Sequence, residues 1–169
     1  MSATVGLETP IGWLAIHAGE DGLARVEFAE GPVPESGRGR ARQIAGQAAR
    51  ELREYFEGTR RAFDTPLAPS GTAFQRAVWE RVRAIPWGAT VTYGEIARAL
   101  GDERKVRAVG AANGANPLPI FIPCHRVVGA DGSLTGYAGG LERKAWLLAH
   151  ESRQKSLPDM HAPRDIRRP

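Results

Sequence analysis

The chain has 169 residues, of which 42% are apolar, 25% are charged and a single one is cysteine. This length predicts one domain or two small ones with a shared interface, and a lone cysteine excludes both an internal disulfide and a zinc site built from several cysteines. The N-terminus lacks the basic start and apolar run of a signal peptide, and no segment approaches the ~20 apolar residues that span a bilayer, so we expect a cytoplasmic protein without a membrane segment.

The formal net charge of +4 is unevenly distributed along the chain. Residues 1–71 carry 8 basic and 10 acidic residues, whereas residues 72–155 carry 12 basic and 7 acidic residues. An excess of positive charge in one half of a protein favours an anionic partner such as nucleic acid.

The N-terminal half has the pattern of a small antiparallel sheet followed by a helix. Turn signals separate three apolar runs, VGLE, WLAIHA and LARVEF, and the last two alternate apolar and polar residues. Apolar residues then recur at helical spacing from Ile44 to Phe56, and Gly58 is placed to end that helix. The polar stretch after it reads as a linker, so we expect domains at 1–68 and 69–155 and a flexible tail at 156–169.

The second half is predicted to be mostly helical. Thr72 and Thr92 each stand three residues before a glutamine or glutamate, and each capping box begins a short helix. A tight turn follows the second of these helices and leads into another one over 105–116, so the pair matches a helix-turn-helix. A last helix is predicted to start near residue 141 and to run to about 151.

The side chains of the helix at 105–116 are unusually small, with one long exception at Arg107. Glycine inside a helix costs about 1 kcal/mol relative to alanine, so the pattern requires a reason. Close packing on a neighbouring helix is one explanation. Close approach to a DNA groove or a phosphate backbone, with Arg107 reaching in, is the other. The small residues are Ala108, Gly110, Ala111, Ala112 and Gly114.

The only cysteine, Cys124, stands between a proline and a histidine in the stretch IPCHRVVG. The apolar run PLPIFIP predicts a short buried strand at 120–122 that leads into it. A free cysteine is most often a small buried apolar side chain. Here, however, His125 can take the thiol proton, and the basic residues Arg126 and Arg107 are expected to lower the thiol pKa.

Adjacent residues of a strand point to opposite faces, so Cys124 and His125 can interact only if the chain turns there or through a water molecule. A third group would orient the imidazole, as in any relay of nucleophile, base and orienting residue. Glu95, Glu142 and Glu151 are the candidates, and their spacing does not choose among them.

Four longer segments of the second half are distinctive: NPLPIFIPCHRVVG, FQRAVWERVRAIPWGATVTYGEIA, RAVGAANGANP and GYAGGLERKAWLLAHE. Together they resemble the O6-alkylguanine-DNA alkyltransferases, also called methylated-DNA–protein-cysteine methyltransferases. The resemblance is close over 72–151, whereas residues 1–60 resemble the N-terminal domain of that family only in outline. It implies an α/β (α+β) protein with an RNase H-like N-terminal domain of sheet and helix. The C-terminal domain is then mostly helical and carries the helix-turn-helix and the active-site cysteine.

The resemblance also implies a suicide repair reaction on duplex DNA that carries O6-alkylguanine. The damaged guanine is flipped into a pocket, and the Cys124 thiolate takes the alkyl group from guanine O6 and keeps it. O4-methylthymine is a second substrate to consider. No metal or organic cofactor is implied, a monomer is expected, and the zinc site of some relatives should be absent because this chain has no other cysteine.

Individual residues match functional positions of the family. Glu151 matches the glutamate that orients the histidine, and Asn116 matches the asparagine that supports the active-site turn. Tyr93 matches the tyrosine that assists flipping and donates a proton or hydrogen bond to guanine, and Arg107 the arginine that fills the gap in the base stack. The other expected DNA contacts are Thr92, Ala108, Gly110 and Ala111, and the expected pocket residues are Arg126, Val127, Tyr137 and Ala138.

Other functions fit parts of the sequence. A non-transferring lesion sensor of the same fold would replace the nucleophile, and Cys124 argues against it. A Cys–His hydrolase would leave the helix-turn-helix unexplained, and a transcription regulator switched by cysteine methylation would need a regulatory domain that is not visible. The family often has serine where Ala138 stands, and this difference bears on tolerance for bulkier alkyl groups.

Overall fold

A computed structural model describes residues 1–153. Three antiparallel strands open the chain and lie side by side in sequence order: β1 (Ser2–Thr9), β2 (Gly12–Gly19) and β3 (Leu23–Ala29). The helix α1 (Gly39–Glu57) packs on β1 and β2 and ends at Gly58, which has a left-handed backbone with a φ of 85°. Glycine adopts this conformation without a steric penalty, so the predicted sheet, helix and helix end are all confirmed.

Side chains alternate between the two faces of the sheet, and the apolar face packs against α1. Val5 of β1 lies directly opposite Ile16 of β2, and Leu7 lies opposite Leu14, so the two pairs share one face. All four side chains are buried, at roughly 1.5–3 kcal/mol of stabilisation each. The buried stripe of α1 that completes this layer contains Ala41, Ile44, Ala45, Ala48, Leu52 and Tyr55.

Other parts of the chain cover both edges of the sheet. Beside β1, Thr4 and Ser36 exchange two backbone hydrogen bonds of 3.1 and 3.0 Å. Beside β3, the Leu23 N–H donates to the carbonyl of Pro66 (2.8 Å), and the Ala68 N–H donates to the carbonyl of Leu23 (2.9 Å). Part of the predicted linker therefore lies along β3 and is held there by backbone hydrogen bonds.

The second half contains α2 (Ala73–Arg83), β4 (Val91–Thr92), α3 (Tyr93–Ala99), α4 (Val106–Gly114), β5 (Val127–Val128) and α5 (Leu141–Arg153). Both predicted capping boxes are present: the hydroxyls of Thr72 and Thr92 accept backbone N–H groups three residues further on. A 3-10 turn at Glu103–Lys105 joins α3 to α4, and the two helices pack together as the predicted helix-turn-helix. The strands β4 and β5 form a short parallel pair.

The strand predicted at 120–122 is wrong, because the chain makes a tight turn there. The Ile122 N–H donates to the Leu118 carbonyl over 2.9 Å, and Ile120 has a left-handed backbone with a φ of 76°. A β-branched residue in this region is strained by about 1–3 kcal/mol, so its surroundings must hold it. Asn116 does so, since its side chain accepts the Leu118 N–H (2.9 Å) and donates to the Ile122 carbonyl (2.8 Å).

Buried apolar side chains form one continuous cluster through both halves of the described residues. The cluster joins Leu52 of α1 to Val78 of α2 and to Leu147 of α5. Residues on both sides of the predicted boundary near residue 68 therefore share a core. No helix within residues 1–153 is long and apolar enough to cross a membrane. The predicted flexible tail, 156–169, lies outside the described residues.

Candidate active site

The active-site turn brings Cys124 to the wall of a cavity of about 380 Å³ between β3, the end of α4 and residues 136–139. Cys124 is 6% exposed, and its carbonyl accepts a hydrogen bond from the Asn113 side chain over 3.3 Å. Tyr137 and Ala138, two of the predicted pocket residues, line the same cavity. Within residues 1–153, no group of three or more His, Cys, Asp or Glu side chains is placed to hold a metal ion.

His125 is fully buried directly after Cys124, where residues 124–126 form a 3-10 turn rather than a strand. Its Nε2 lies 2.7 Å from Oε2 of Glu151 on α5. Of the other two glutamates that spacing left open, Glu95 caps α3 and Glu142 is exposed. The structure thus places Glu151 at the position expected of the orienting residue.

The protonation states of this pair follow from burial and from their neighbours. Burial opposes a charge on Glu151, but the hydrogen bonds from His125 and Arg126 and the charge of Arg126 outweigh it and hold the pKa of this carboxyl well below its usual range. Burial lowers the pKa of His125, and Glu151 offsets this only in part. A carboxylate only accepts hydrogen bonds, so Nε2 carries the proton of the neutral ring. The buried Nδ1 has no partner among the described residues and is left as a base.

Two predicted pocket residues lie elsewhere. The guanidinium of Arg126 donates to both oxygens of Glu151, from Nε over 2.8 Å and from Nη2 over 2.9 Å, and Nη1 donates to the Ile85 carbonyl over 2.6 Å. This bidentate pairing directs Arg126 away from the cavity at Cys124. Val127 is fully buried in β5 and does not line that cavity either. The pocket assignment of Arg126 and Val127 is therefore corrected.

The expected effect of arginines on the thiol is also wrong. Burial raises the pKa of the Cys124 thiol to about 11, and a hydrogen bond from Asn116 and the charge of Lys144 oppose the rise only in part. Arg107 is exposed on α4, and the charge of Arg126 is paired with Glu151. The resting group is therefore a thiol, which must lose its proton to a base as it reacts.

Lys144 is a site residue that sequence reasoning missed. It is fully buried on α5, and its Nζ donates to the carbonyls of Val127 (2.7 Å), Thr135 (2.7 Å) and Gly136 (3.4 Å). These bonds tie α5 to β5 and to residues 135–139, which we term the pocket loop. A signal was present, because Lys144 precedes the buried Leu147 by one helical turn, and a lysine on a buried helix face needs polar partners.

The N-terminal half forms one wall of the cavity. The rings of Phe28 on β3 and Tyr137 meet edge to face, with centroids 6.5 Å apart. A Cβ added at Gly139 would lie 2.5 Å from the Phe28 ring, so only glycine lets the pocket loop approach β3 this closely. The Arg143 guanidinium lies 4.3 Å from the centroid of the Phe28 ring and donates to the Ile11 carbonyl over 2.8 Å. Phe28 was not anticipated from the sequence.

Small side chains occupy two faces of α4 for different reasons. Val109 and Ala112 are buried, and the Trp79 Nε1–H donates to the Ala112 carbonyl over 2.8 Å, so α2 packs closely on this face. Ala108 and Ala111 are exposed beside Arg107. The structure therefore accommodates both explanations, with helix packing on one face and a shallow accessible surface on the other.

Two of the three remaining residues expected at DNA, Thr92 and Tyr93, lie where α3 begins, and the third, Gly110, lies on α4. Thr92 uses its hydroxyl to cap α3 by accepting the Glu95 N–H over 3.1 Å. Tyr93 is partly buried beside Gly110, and its hydroxyl donates to the Thr135 carbonyl over 3.1 Å. Tyr93 thereby links the helix-turn-helix to the pocket loop.

Comparison with known proteins gives two family models that match consecutive parts of the chain. The 6-O-methylguanine DNA methyltransferase ribonuclease-like domain matches residues 6–69, and the DNA binding domain of the same family matches residues 73–153. The methylated-DNA–protein-cysteine methyltransferase of Methanosarcina acetivorans is 47% identical over 148 residues, which cover 85% of this chain and 94% of that protein. The protein of the same name from Mycolicibacterium paratuberculosis is 44% identical over 150 residues, which cover 87% of this chain and 90% of that protein.

Solved structures agree with these matches. The crystal structure of Mycobacterium tuberculosis O6-methylguanine methyltransferase superposes with a TM-score of 0.79 at 37% identity, over 98% of each chain. A structure of the M. tuberculosis protein in complex with DNA gives a TM-score of 0.78 at 38% identity, over 95% of each chain. The expected mixed α/β fold, with a small antiparallel sheet and a mostly helical second half, is confirmed. On this evidence, the chain belongs to the 6-O-methylguanine DNA methyltransferase family.

Proposed function

We propose that the protein repairs O6-alkylguanine in duplex DNA by transferring the alkyl group to Sγ of its own Cys124, once per molecule. The observation that carries the proposal is a cysteine on a cavity wall followed by a neutral histidine that an ionised Glu151 orients. The family supports it, because its matched domain is a DNA-binding one and its relatives are named for a protein cysteine as acceptor.

The thiol needs a base in this reaction. With a pKa of about 11, only about one thiol in 10⁴ is ionised at pH 7. In the proposed step, His125 takes the thiol proton, directly or through a water molecule, as sulfur attacks the alkyl carbon. The bond from that carbon to O6 breaks, its electron pair passes to guanine, and a ring nitrogen of guanine gains a proton. The net result is unmodified guanine and a thioether on Cys124.

Proton removal alone does not account for the reaction. Most of the acceleration must come from in-line alignment of sulfur, carbon and oxygen, and from neutralising the charge that develops on guanine. Tyr93 is our proposed donor to guanine, since its hydroxyl lies beside the pocket loop that lines the cavity. Asn116 contributes by holding the strained turn that precedes Cys124.

The DNA-binding surface of the proposal is the exposed face of α4. Ala108 and Ala111 leave room for the DNA backbone, and Arg107 is the long side chain that enters the duplex from the minor groove. Flipping then delivers the damaged base to the cavity at Cys124. We propose a monomer as the active unit, because one chain carries the thiol, the base and the DNA-binding helix.

An intact-protein mass spectrum after incubation with a duplex that contains one O6-methylguanine tests the proposal. We expect a gain of one CH₂, stoichiometric with the lesion and mapped to Cys124, and no gain in Cys124→Ala. Cys124→Ala should keep its affinity for DNA, whereas Arg107→Ala should weaken lesion binding. An unchanged mass together with tight, lesion-selective binding would identify a lesion sensor instead, and methyl acceptance by Cys124→Ala would refute the mechanism.

A further inference from the structure

The buried carboxylate of Glu151 has a partner from the N-terminal half of the chain. The hydroxyl of Tyr55 on α1 donates to Oε2 of Glu151 over 2.7 Å, the same oxygen that accepts the His125 Nε2–H over 2.7 Å. Arg126 donates to this oxygen as well, over 2.9 Å. Three donors therefore converge on one oxygen atom, and one of them lies 96 residues from Glu151 in the sequence.

Tyr55 is held firmly in this position. It is fully buried in the last turn of α1, and its carbonyl accepts the His150 Nε2–H of α5 over 2.7 Å. Its ring packs against Phe56, Phe63 and Trp87, with centroid distances of 5.2, 5.9 and 5.4 Å. Burial and the neighbouring Glu151 charge raise the pKa of Tyr55 well above its ordinary value, so the hydroxyl stays protonated and acts as a donor.

We propose that Tyr55 is a positioning residue for alkyl transfer: its hydroxyl fixes the Glu151 carboxylate and weakens the attraction of that carboxylate for a proton on His125. The imidazole then stays neutral and able to take the thiol proton. This inference rests on the proposed function, in which His125 is the base. It assigns to the N-terminal half a direct part in setting the basicity of the active site.

The physical reason is competition for one acceptor. An oxygen that shares its lone pairs among three donors attracts each of them less than an oxygen that serves two. Without the Tyr55 hydroxyl, Glu151 would stabilise a protonated His125 more strongly, against the burial that keeps the ring neutral. Among residues 1–153, the other charged groups that act on His125 are Arg126 and Lys144, Cys124 is its neighbour in the chain, and the substitution of Tyr55 leaves all three in place.

Tyr55→Phe removes the hydroxyl and keeps the ring. Single-turnover methyl transfer to Cys124 would be measured across the acid and neutral range for this variant, for the wild type and for Phe63→Leu. Phe63 packs on the Tyr55 ring and has no group that can donate a hydrogen bond to Glu151, so its variant reports the effect of packing alone. We expect the acid limb of the rate profile to move up by about one pH unit in Tyr55→Phe, the scale of one hydrogen bond to a charged group, and to stay in place in Phe63→Leu.

A second readout needs neither DNA nor transfer. The titration of the His125 ring nitrogens, followed by ¹⁵N NMR and assigned by its absence in His125→Gln, should also move to higher pH in Tyr55→Phe. Unmoved profiles in both experiments would overturn the inference, and so would an equal loss of rate at every pH in Tyr55→Phe and Phe63→Leu. A wild type that accepts no methyl group would refute the proposed function, while the NMR titration would still decide the effect of Tyr55 on His125.

Discussion

Replacing Lys144 by methionine tests how much the buried ammonium contributes to the site. Methionine fills a similar volume, but the carbonyls of Val127 and Gly136 lose the Lys144 donor, and the Thr135 carbonyl keeps only the hydrogen bond from Tyr93. A buried group left unsatisfied costs ~1–3 kcal/mol, and the buried Val127 carbonyl should account for most of the loss because water can reach the exposed residues 135 and 136. We expect destabilisation by about 2–4 kcal/mol, which lowers the Tm by roughly 4–16 °C for a chain of this size.

The same substitution should slow the alkylation of the Cys124 thiol. The charge of Lys144 favours the Cys124 thiolate, so its removal raises the pKa of the thiol further. Calorimetry would give the Tm, and the rate of alkylation by iodoacetamide at fixed pH would report the thiolate fraction without DNA. Lys105→Met is the matched control, because Lys105 is exposed and lies over the Phe74 ring at 5.4 Å. Equal melting and equal alkylation rates in Lys144→Met, Lys105→Met and the wild type would refute the reasoning.

Three further predictions concern stability. Burial lowers the pKa of His125 and of His150, so the unfolded chain binds protons that the folded chain rejects. The free energy of unfolding should therefore be highest above about pH 6.5 and decrease below that pH. Urea titrations should show a weaker pH dependence of this free energy in His125→Gln. Asn116→Ala should lower the free energy of unfolding, measured with denaturant, by about 2–3 kcal/mol, since the strained turn loses both hydrogen bonds to the Asn116 side chain. A decrease below about 0.5 kcal/mol would contradict that role. Gly46→Ala should increase the free energy of unfolding by about 1 kcal/mol and raise the Tm, because an added Cβ at this position of α1 meets no neighbouring atom within 4 Å. An unchanged or lower Tm would show that the site is constrained in another way.

Elements with strong local signals were predictable from the sequence. The two capping boxes, the glycine after α1 and the alternation along the first strands each depend on residues within one or two turns. The segment 120–122 was not predictable, because an apolar, β-branched run between prolines fits a buried strand and a buried turn equally well. The bonds that decide between them come from the side chain of Asn116, outside the run.

In the candidate site too, features that depend on residues distant in the sequence could not be predicted. His125 follows Cys124 in the chain, so the sequence suggested the pair but not whether the two side chains interact, and the resemblance supplied Glu151. Arg126 and the thiol pKa were misjudged because the sequence shows neither the pairing of Arg126 with Glu151 nor the burial of Cys124. Lys144 and Tyr55 enter the site only when α5 and α1 pack against the active-site turn, and that packing is a property of the whole core.

The covered edges of the three-stranded sheet bear on how the protein behaves at high concentration. Open edge strands present unpaired N–H and C=O groups that can recruit a strand of another molecule and begin aggregation. Here Ser36 occupies that position beside β1, while Pro66 and Ala68 occupy it beside β3, where the Val26 N–H also donates to the Pro117 carbonyl over 2.9 Å. Under the proposed function each molecule repairs one lesion, so repair capacity depends on the amount of protein present, and these hydrogen bonds along the sheet edges oppose aggregation when that amount is high.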